Sequence, residues 1–316
     1  MAIESLRALM EAGENQDLCD IIIHSDCVDR GVTKEASFEK MRALYAAIRR
    51  ARAGYDPALR SASGMFGGDG AKMRAYVQNG KTICGDYIGQ VIAQALEMGE
   101  SNACMKCIVA APTAGSCGVL PAVLLPYQAR EGLDDNTMVR AMYVAGAIGQ
   151  VVAAKASIAG AAGGCQAEIG TASAMGAAAL CYLGGGDAQA VCHAAAIAIK
   201  SMLGLVCDPI AGLVEVPCVK RNAAGAMIAM SSADMALAGI RSDVPPDEVI
   251  LAMREVGQDG CFAQGNGRRR RSGHAFRAED RRKYGNGLSR FWTAGAVHSF
   301  IPKYDSSSID ISIRLL

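Results

Sequence analysis

The feature that most constrains this chain is a succession of segments in which Ala, Leu, Met and Ile recur at helical spacing, with almost no strand signal. Gly, Pro or Asp separates each segment from the next. The predicted helices span residues 37–53, 86–99, 119–130, 137–158, 166–183, 187–204 and 219–240. The pattern predicts an all-α fold, a single multi-helix domain rich in Ala and Gly, because small side chains let helices approach closely.

Composition and charge exclude several classes of protein. The chain has 316 residues, of which 51% are hydrophobic, so it can bury a large core. Its net charge of +1 gives no basic face for nucleic acid. No apolar segment of about 18 residues is free of charge or strong polarity, so we expect no membrane insertion. The first residues, MAIESLRALMEAGENQD, lack the apolar core of a signal peptide, which predicts a cytoplasmic protein.

The chain contains 12 cysteines, which we expect to be reduced thiols in such a protein. Cys181 and Cys192 lie in Ala-rich helical segments, where a cysteine acts as a small buried hydrophobe. Cys104 and Cys107 form a CxxC pair, for which incidental burial is favoured over a redox role.

Three other cysteines lie at turns near predicted helix ends: Cys165 in GGCQAE, Cys207 in LVCDPIAG and Cys218 in EVPCVKRN. Three ligands separated by 42 and 11 positions do not suit a closed structural zinc site, which needs four ligands, usually in close pairs. Three thiolates can instead hold an iron–sulfur cluster with one open iron, a Lewis acid for a substrate hydroxyl. Spacing alone leaves this cluster and simple packing both open.

Longer stretches around these cysteines carry a family resemblance. NACMKCIVAAPTAGSCGVLPAVLL, AGGCQAEIGTASAMGAAAL and LGLVCDPIAGLVEVPCVKRNAAGA together resemble the iron–sulfur-dependent L-serine dehydratase family, specifically its separate alpha chain. The resemblance covers about residues 35–257 in unbroken order. It implies that Cys165, Cys207 and Cys218 bind a [4Fe-4S] cluster with one open iron, and that the small residues around Cys165 leave room for it.

The activity implied by the resemblance is that of a lyase that converts L-serine to pyruvate and ammonia without pyridoxal phosphate, in amino-acid degradation and gluconeogenesis. A related cysteine desulfidase stays open as a variant. Single-chain relatives carry a Ser-His-Thr motif in a separate N-terminal region, which this sequence lacks. Two-chain members carry that region on a beta chain, so we expect a beta chain as partner.

The turn from Pro112 to Gly118 is the candidate for the substrate carboxylate, through Thr113, Ser116 and backbone N–H groups that include the one at Gly118. A simple helix cap explains the same turn equally well. Ser63 and the GGDGAK turn after it form a weaker second candidate, and both of these Gly-rich turns are predicted to lead into a helix.

The sequence does not identify the catalytic base. Lys155, just ahead of the Cys165 turn, is a weak candidate, and a lysine that extends to solvent fits its setting as well. His193 lies in an Ala-rich helix and is predicted to be a core or boundary histidine.

The character of the chain changes near Gln258, where an arginine-rich segment without helical periodicity begins. We therefore divide the chain into a dehydratase-like helical domain, 1–257, and an atypical basic tail, 258–316. One interpretation is a disordered tail that binds a partner. Another is a frameshift, because reading this segment one nucleotide out of frame permits a sequence that resembles the usual ending of the family. A non-catalytic frameshifted or scaffold chain is therefore the alternative to the enzyme.

Overall fold

A computed structural model describes residues 3–207, 215 and 217–264. These residues form eleven α-helices and one 3-10 turn, Ala114–Ser116, and contain no strand. The helices are α1 (Leu6–Ala12), α2 (Leu18–Arg30), α3 (Lys34–Ala53), α4 (Asp69–Gln78), α5 (Gly85–Ala103), α6 (Val119–Glu131), α7 (Asp135–Lys155), α8 (Gly160–Leu183), α9 (Ala188–Met202), α10 (Cys218–Leu237) and α11 (Pro246–Gln264). The all-α prediction is confirmed.

Short polar side chains fix where many of these helices begin. Asp17, Thr33, Asp134 and Asp187 each accept a hydrogen bond from a backbone N–H in the first turn of α2, α3, α7 and α9, respectively. Such a cap satisfies one of the N–H groups that a helix start leaves without a partner. The sequence therefore encodes these helix starts locally.

Helix α8 is the centre of the fold. It packs against α6, α7, α9, α10 and α11. Every residue from Gly163 to Cys181 is buried except Glu168. A helix surrounded by others on all sides must be apolar all round, and the Ala-rich sequence of α8 meets that requirement. Glu168, the only charged residue in the helix, is therefore the one that needs an explanation.

Helix α7 is long and apolar enough by composition to cross a membrane, a property that the sequence analysis did not single out. In the fold, however, 72% of its most apolar 18-residue window is buried. It packs against α2, α3, α8 and α11. Its hydrophobicity is therefore accounted for by its position in the protein core.

The seven predicted helices correspond to α3 and α5 through α10, with ends that differ by a few residues. The prediction missed α1, α2 and α11, and foresaw α4 only as a helix after a Gly-rich turn. Helix α1 has only 7 residues, too few to show a clear period. Helix α2 carries Asp and His among its apolar residues, which dilutes the same signal.

The predicted boundary after Gly257 falls inside a helix. Helix α11 runs on to Gln264, seven residues beyond that boundary. The rest of the basic tail, including Arg268 to Arg271, lies outside the described residues. The frameshift interpretation therefore stays a prediction.

Candidate metal centre

Cys165 is the first residue of the regular part of α8, directly after a break in the backbone. Gly164 has φ 81° and ψ 178° inside the helix, a conformation that only glycine adopts without strain. Residues 160–163 form a separate short helical turn on the other side of this break. Gly164 therefore allows the backbone to turn sharply, so that the regular part of α8 begins at Cys165.

The three cysteines singled out in the sequence meet at this helix start. The thiols of Cys207 and Cys218 hydrogen-bond to the sulfur of Cys165. Arg221, one turn into α10, donates from Nη1 to Cys165 Sγ at 2.8 Å and to the Val206 carbonyl at 2.7 Å. Cys165 and Cys218 are buried, whereas Cys207 is partly exposed. The arginine thus links the sulfur of Cys165 to the segment that carries Cys207.

The hydrogen bonds make the three thiols unequal. Donation from Cys207 and Cys218, aided by the charge of Arg221, holds the pKa of Cys165 well below its usual range despite burial. The pKa values of Cys207 and Cys218 are raised, first by their hydrogen bonds to Cys165 and then by burial. The start of α8 adds the positive end of a helix dipole. Cys165 is therefore the most acidic of the three thiols.

Glu168 joins this group, and the sequence analysis missed it. It lies one turn after Cys165 on α8, and a carboxylate oxygen lies with the sulfurs of Cys165 and Cys218 in a set whose members are all within 4.8 Å of one another. The carboxylate accepts hydrogen bonds from the Thr113 hydroxyl and the Gly115 N–H. Burial, and then the charge of Cys165, raises its pKa. The available sequence signal was a lone carboxylate in an otherwise uncharged helix.

The predicted substrate turn lies against this centre. The Thr113 hydroxyl donates a hydrogen bond to Glu168, which lies beside the thiols of Cys165 and Cys218. The backbone N–H of Thr113 donates to Ser116 Oγ at 3.4 Å. Ser116 is fully buried inside the turn. The N–H of Gly118 donates to Asn222 Oδ1 at 2.8 Å, so it is already engaged in this structure.

Asn222 fixes the turn to the helix of Cys218. It is fully buried, and its Nδ2 donates to the carbonyls of Gly115 and Cys218 at 2.8 Å and 2.9 Å. Its Oδ1 also accepts the hydrogen bond from the Gly118 N–H, so this one side-chain amide makes three hydrogen bonds. The turn and α10 are thereby held in a fixed relation, although they are far apart in sequence.

We expect Asn222→Ala to lower the free energy of unfolding by about 1–3 kcal/mol, because the buried Gly118 N–H loses its acceptor. Urea unfolding followed by circular dichroism measures this. The matched control is Asn136→Ala, which removes one exposed hydrogen bond from Arg42. That control should change stability by less than about 0.5 kcal/mol. Equal effects of the two variants would contradict the proposed role of Asn222.

Gln166, the next residue after Cys165, holds the segment that leads to Cys207. Its Oε1 accepts from the Gly204 N–H at 2.9 Å, and its own N–H donates to the Leu205 carbonyl at 2.9 Å. Its Nε2 donates to the Met253 carbonyl of α11 at 3.2 Å. This buried side chain therefore positions Cys207 relative to Cys165.

Comparison with known proteins agrees with these motifs. The family profile described as "Serine dehydratase alpha chain" matches residues 5–263. The chain belongs to this family. The "Probable L-serine dehydratase, alpha chain" of Bacillus subtilis is 47% identical over 245 residues, which cover 76% of this chain and 80% of that protein. The protein of the same name from Latilactobacillus sakei is 52% identical over 174 residues, 55% of this chain and 83% of that one.

Longer relatives match only in part. "L-serine dehydratase TdcG" of Escherichia coli is 46% identical over 169 residues, which cover 52% of this chain but only 37% of that protein. The dehydratase alpha chain described here thus corresponds to one part of a longer polypeptide in that relative.

Lys155, the weak sequence candidate for the base, has a structural partner in this alpha chain. Its Nζ lies 3.4 Å from Asp247 Oδ1. Asp247 in turn accepts from the N–H groups of Leu6 and Arg7 at 3.1 Å and 2.8 Å, at the start of α1. The lysine therefore neutralises a carboxylate that ties α1 to α11.

The second turn considered for an anion, around Ser63, is also satisfied internally. The buried carboxylate of Glu100 accepts from the N–H groups of Asp69 and Gly70 at 2.6 Å and 3.2 Å, which fills the start of α4. Ser63 donates to Glu215 Oε2 at 2.7 Å. A protein carboxylate thus already occupies the position proposed for an anion.

The remaining candidates have ordinary environments. Cys181 and Cys192 are fully buried, as predicted. The prediction of burial is wrong for Cys107, which is exposed, and Cys104 is only partly buried. His193 accepts a hydrogen bond from the Ser242 N–H at 3.1 Å, and burial lowers its pKa, as suits a boundary histidine.

Proposed function

We propose that this chain is the alpha chain of an L-serine dehydratase, a lyase that converts L-serine to pyruvate and ammonia. Its family and the names of its relatives support this assignment. The observation that carries it is the meeting of three thiols and Glu168 beside the turn of Thr113. Thiols that suit a metal, a carboxylate, and a turn that suits a substrate carboxylate thus lie close together, which supports the proposal.

The donor set fits a [4Fe-4S] cluster. Cys165, Cys207 and Cys218 supply three thiol ligands, and Arg221 offers a positive charge to offset the negative charge that they acquire on binding metal. Iron–sulfur clusters are held by cysteine thiolates, and hydrogen bonds to the sulfurs tune them. When bound, a cluster with only three protein ligands supplies one iron as a Lewis acid for the substrate hydroxyl.

The residues of the chain account for the rest of the reaction. We assign the substrate carboxylate to the turn with Thr113, Ser116 and Gly118, where rearrangement of the hydrogen bonds to Glu168 and Asn222 frees donors. Glu168 takes the proton from the α-carbon on a carboxylate oxygen and passes it to the departing hydroxyl, which leaves as water. The aminoacrylate product tautomerises to an imine, and water hydrolyses the imine to pyruvate and ammonia. This scheme needs no pyridoxal phosphate.

A partner chain and a compartment belong to the same proposal. The match covers 80% of the B. subtilis protein that is named an alpha chain, but only 37% of the E. coli protein. We propose that a beta chain supplies the part that the E. coli protein has beyond the match, and that the enzyme works in the cytoplasm. The basic tail, 258–316, is proposed to be a frameshift product rather than part of this machinery.

The test is an assay of the full chain, reconstituted anaerobically with iron and sulfide and mixed with a purified beta chain. We expect pyruvate from L-serine, loss of activity in air, and its return with ferrous iron and thiol. Added pyridoxal phosphate should change nothing. Sulfide release from L-cysteine at a higher kcat/KM than serine turnover would assign a desulfidase instead. A reconstituted pair that acts on neither amino acid would overturn the proposal in favour of a non-catalytic chain.

A further inference from the structure

We propose that the cluster-free chain binds a single thiophilic divalent cation, of the class of zinc or cobalt(II), on Cys165, Cys218 and Glu168. The inference concerns the same pocket as the proposed function and adds a second metal-bound state to it. It does not require the chain to act on serine. The argument rests on geometry, on the donor types and on the groups that hold the donors in place.

The spacing of the ligand atoms suits one ion. One oxygen of Glu168 and the sulfurs of Cys165 and Cys218 all lie within 4.8 Å of one another. Zinc binds sulfur at about 2.3 Å and carboxylate oxygen at about 2.0–2.2 Å, so its tetrahedral ligands lie roughly 3.5–3.8 Å apart. A contraction of about 1 Å or less therefore closes the site. The ligands of a four-iron cluster, in contrast, bind different irons and must spread apart.

The donors also form a recognisable set. Cys165 and Glu168 are three positions apart on α8 and so share one face of that helix, while Cys218 begins α10. Two sulfurs and one carboxylate are ligands that zinc accepts, and three protein ligands leave a fourth position for water. Cys207 hydrogen-bonds to Cys165 but is not a member of this trio. The single-ion site and the cluster site thus share two cysteines and differ in the third ligand.

Neighbouring groups hold the carboxylate in position. Thr113 and Gly115 donate hydrogen bonds to it. A Cβ atom at Gly115 would lie 2.5 Å from Glu168 Oε1, and one at Gly160 would lie 2.8 Å from Oε2, so these glycines allow the backbone to close around it. Outer contacts of this kind orient ligands and strengthen metal binding. Arg221 does the same for Cys165 and offsets negative charge.

A consequence is competition between the two metal states. Because both use Cys165 and Cys218, an ion bound with Glu168 prevents assembly of the cluster until it is removed. Zinc should therefore inhibit reconstitution of the iron–sulfur form, and iron and sulfide should not assemble a cluster while zinc is held.

The experiment is an anaerobic titration of the metal-free full chain with cobalt(II), followed by thiolate-to-cobalt charge-transfer and d–d absorption. We expect one cobalt per chain and displacement by zinc. Glu168→Gln should weaken cobalt binding at least about 10–100-fold, the range that loss of an outer contact already costs. Thr113→Val, which keeps all three ligands, should weaken it less. Circular dichroism checks that each variant is folded.

Cys207→Ser is the matched comparison. It should bind cobalt within about threefold of the parent, yet fail to take up the cluster, whereas Glu168→Gln should take up the cluster normally. Unchanged cobalt affinity and spectrum in Glu168→Gln, or loss of cobalt binding in Cys207→Ser, would overturn the single-ion site. Full cluster assembly in Cys207→Ser would instead count against the proposed cluster ligands and leave the single-ion site intact.

Discussion

Serine in place of Cys165 is expected to abolish cluster assembly and reduce serine turnover to background. Cys165 is the point at which the contacts of the centre meet, because Cys207, Cys218 and Arg221 all hydrogen-bond to its sulfur. A serine oxygen is a poor ligand for iron in a thiolate cluster. After anaerobic reconstitution, iron should fall from about four atoms per chain to near zero, with loss of visible absorption. Cys218→Ser should behave in the same way.

The controls for this experiment are the buried cysteines of the core. Cys181 is fully buried in the same helix as Cys165, and burial raises its pKa to about 12, which makes it an inert thiol. Cys181→Ala should keep full iron content and activity and should cost about 1 kcal/mol of stability. If Cys181→Ala lost iron as Cys165→Ser does, the loss would reflect general damage to the fold and the assigned ligands would be wrong.

Much of the fold could be predicted because its signals are local. Helices α3 and α5 through α10 carry apolar residues at helical spacing, and several start at a capping side chain that sequence reading can recognise. Helix α11 was missed even though Pro246, a favoured first residue, begins it. Its apolar stretch lies directly before the arginine-rich segment, where helical periodicity ends.

The site was only partly predictable, because its residues come from turns that are far apart in the sequence. The turn settings singled out Cys165, Cys207 and Cys218, but only the family resemblance implied that they bind a cluster. The roles of Asn222 and Arg221 depend on contacts across 104 and 56 positions, respectively. No local pattern encodes such contacts, since a polar residue near a helix start looks the same whether it faces solvent or a thiol.

The two glycine-rich turns show the same limit. Both lead into helices and looked like anion sites in the sequence. In the structure, Glu100 fills the one at α4 and Glu168 contacts the one at Thr113. The difference lies in the surroundings, because the second carboxylate also lies beside two thiols and the first does not. Only tertiary packing distinguishes the turn filled by Glu100 from the turn that we propose to bind the substrate.

Glu168→Gln is expected to lower kcat for serine about 10²–10⁴-fold, the usual contribution of a positioned acid or base. The amide has nearly the shape of the carboxylate but cannot take a proton from the α-carbon. The contacts from Thr113 and Gly115 can persist through the amide oxygen. Iron content and the visible spectrum should therefore stay unchanged, which separates loss of the base from loss of the cluster.

Lys155 provides the competing assignment and hence the decisive comparison. Lys155→Met removes the ion pair with Asp247 that helps to tie α1 to α11, so it should reduce stability by about 1 kcal/mol. Because the ion pair with Asp247 occupies the ammonium group, Lys155 is not expected to act as the base. The value of kcat should therefore fall by no more than about twofold. If kcat instead fell 10²-fold or more in Lys155→Met and hardly changed in Glu168→Gln, the lysine would be the base. Glu168 would then serve only to hold the turn of Thr113 against the metal centre.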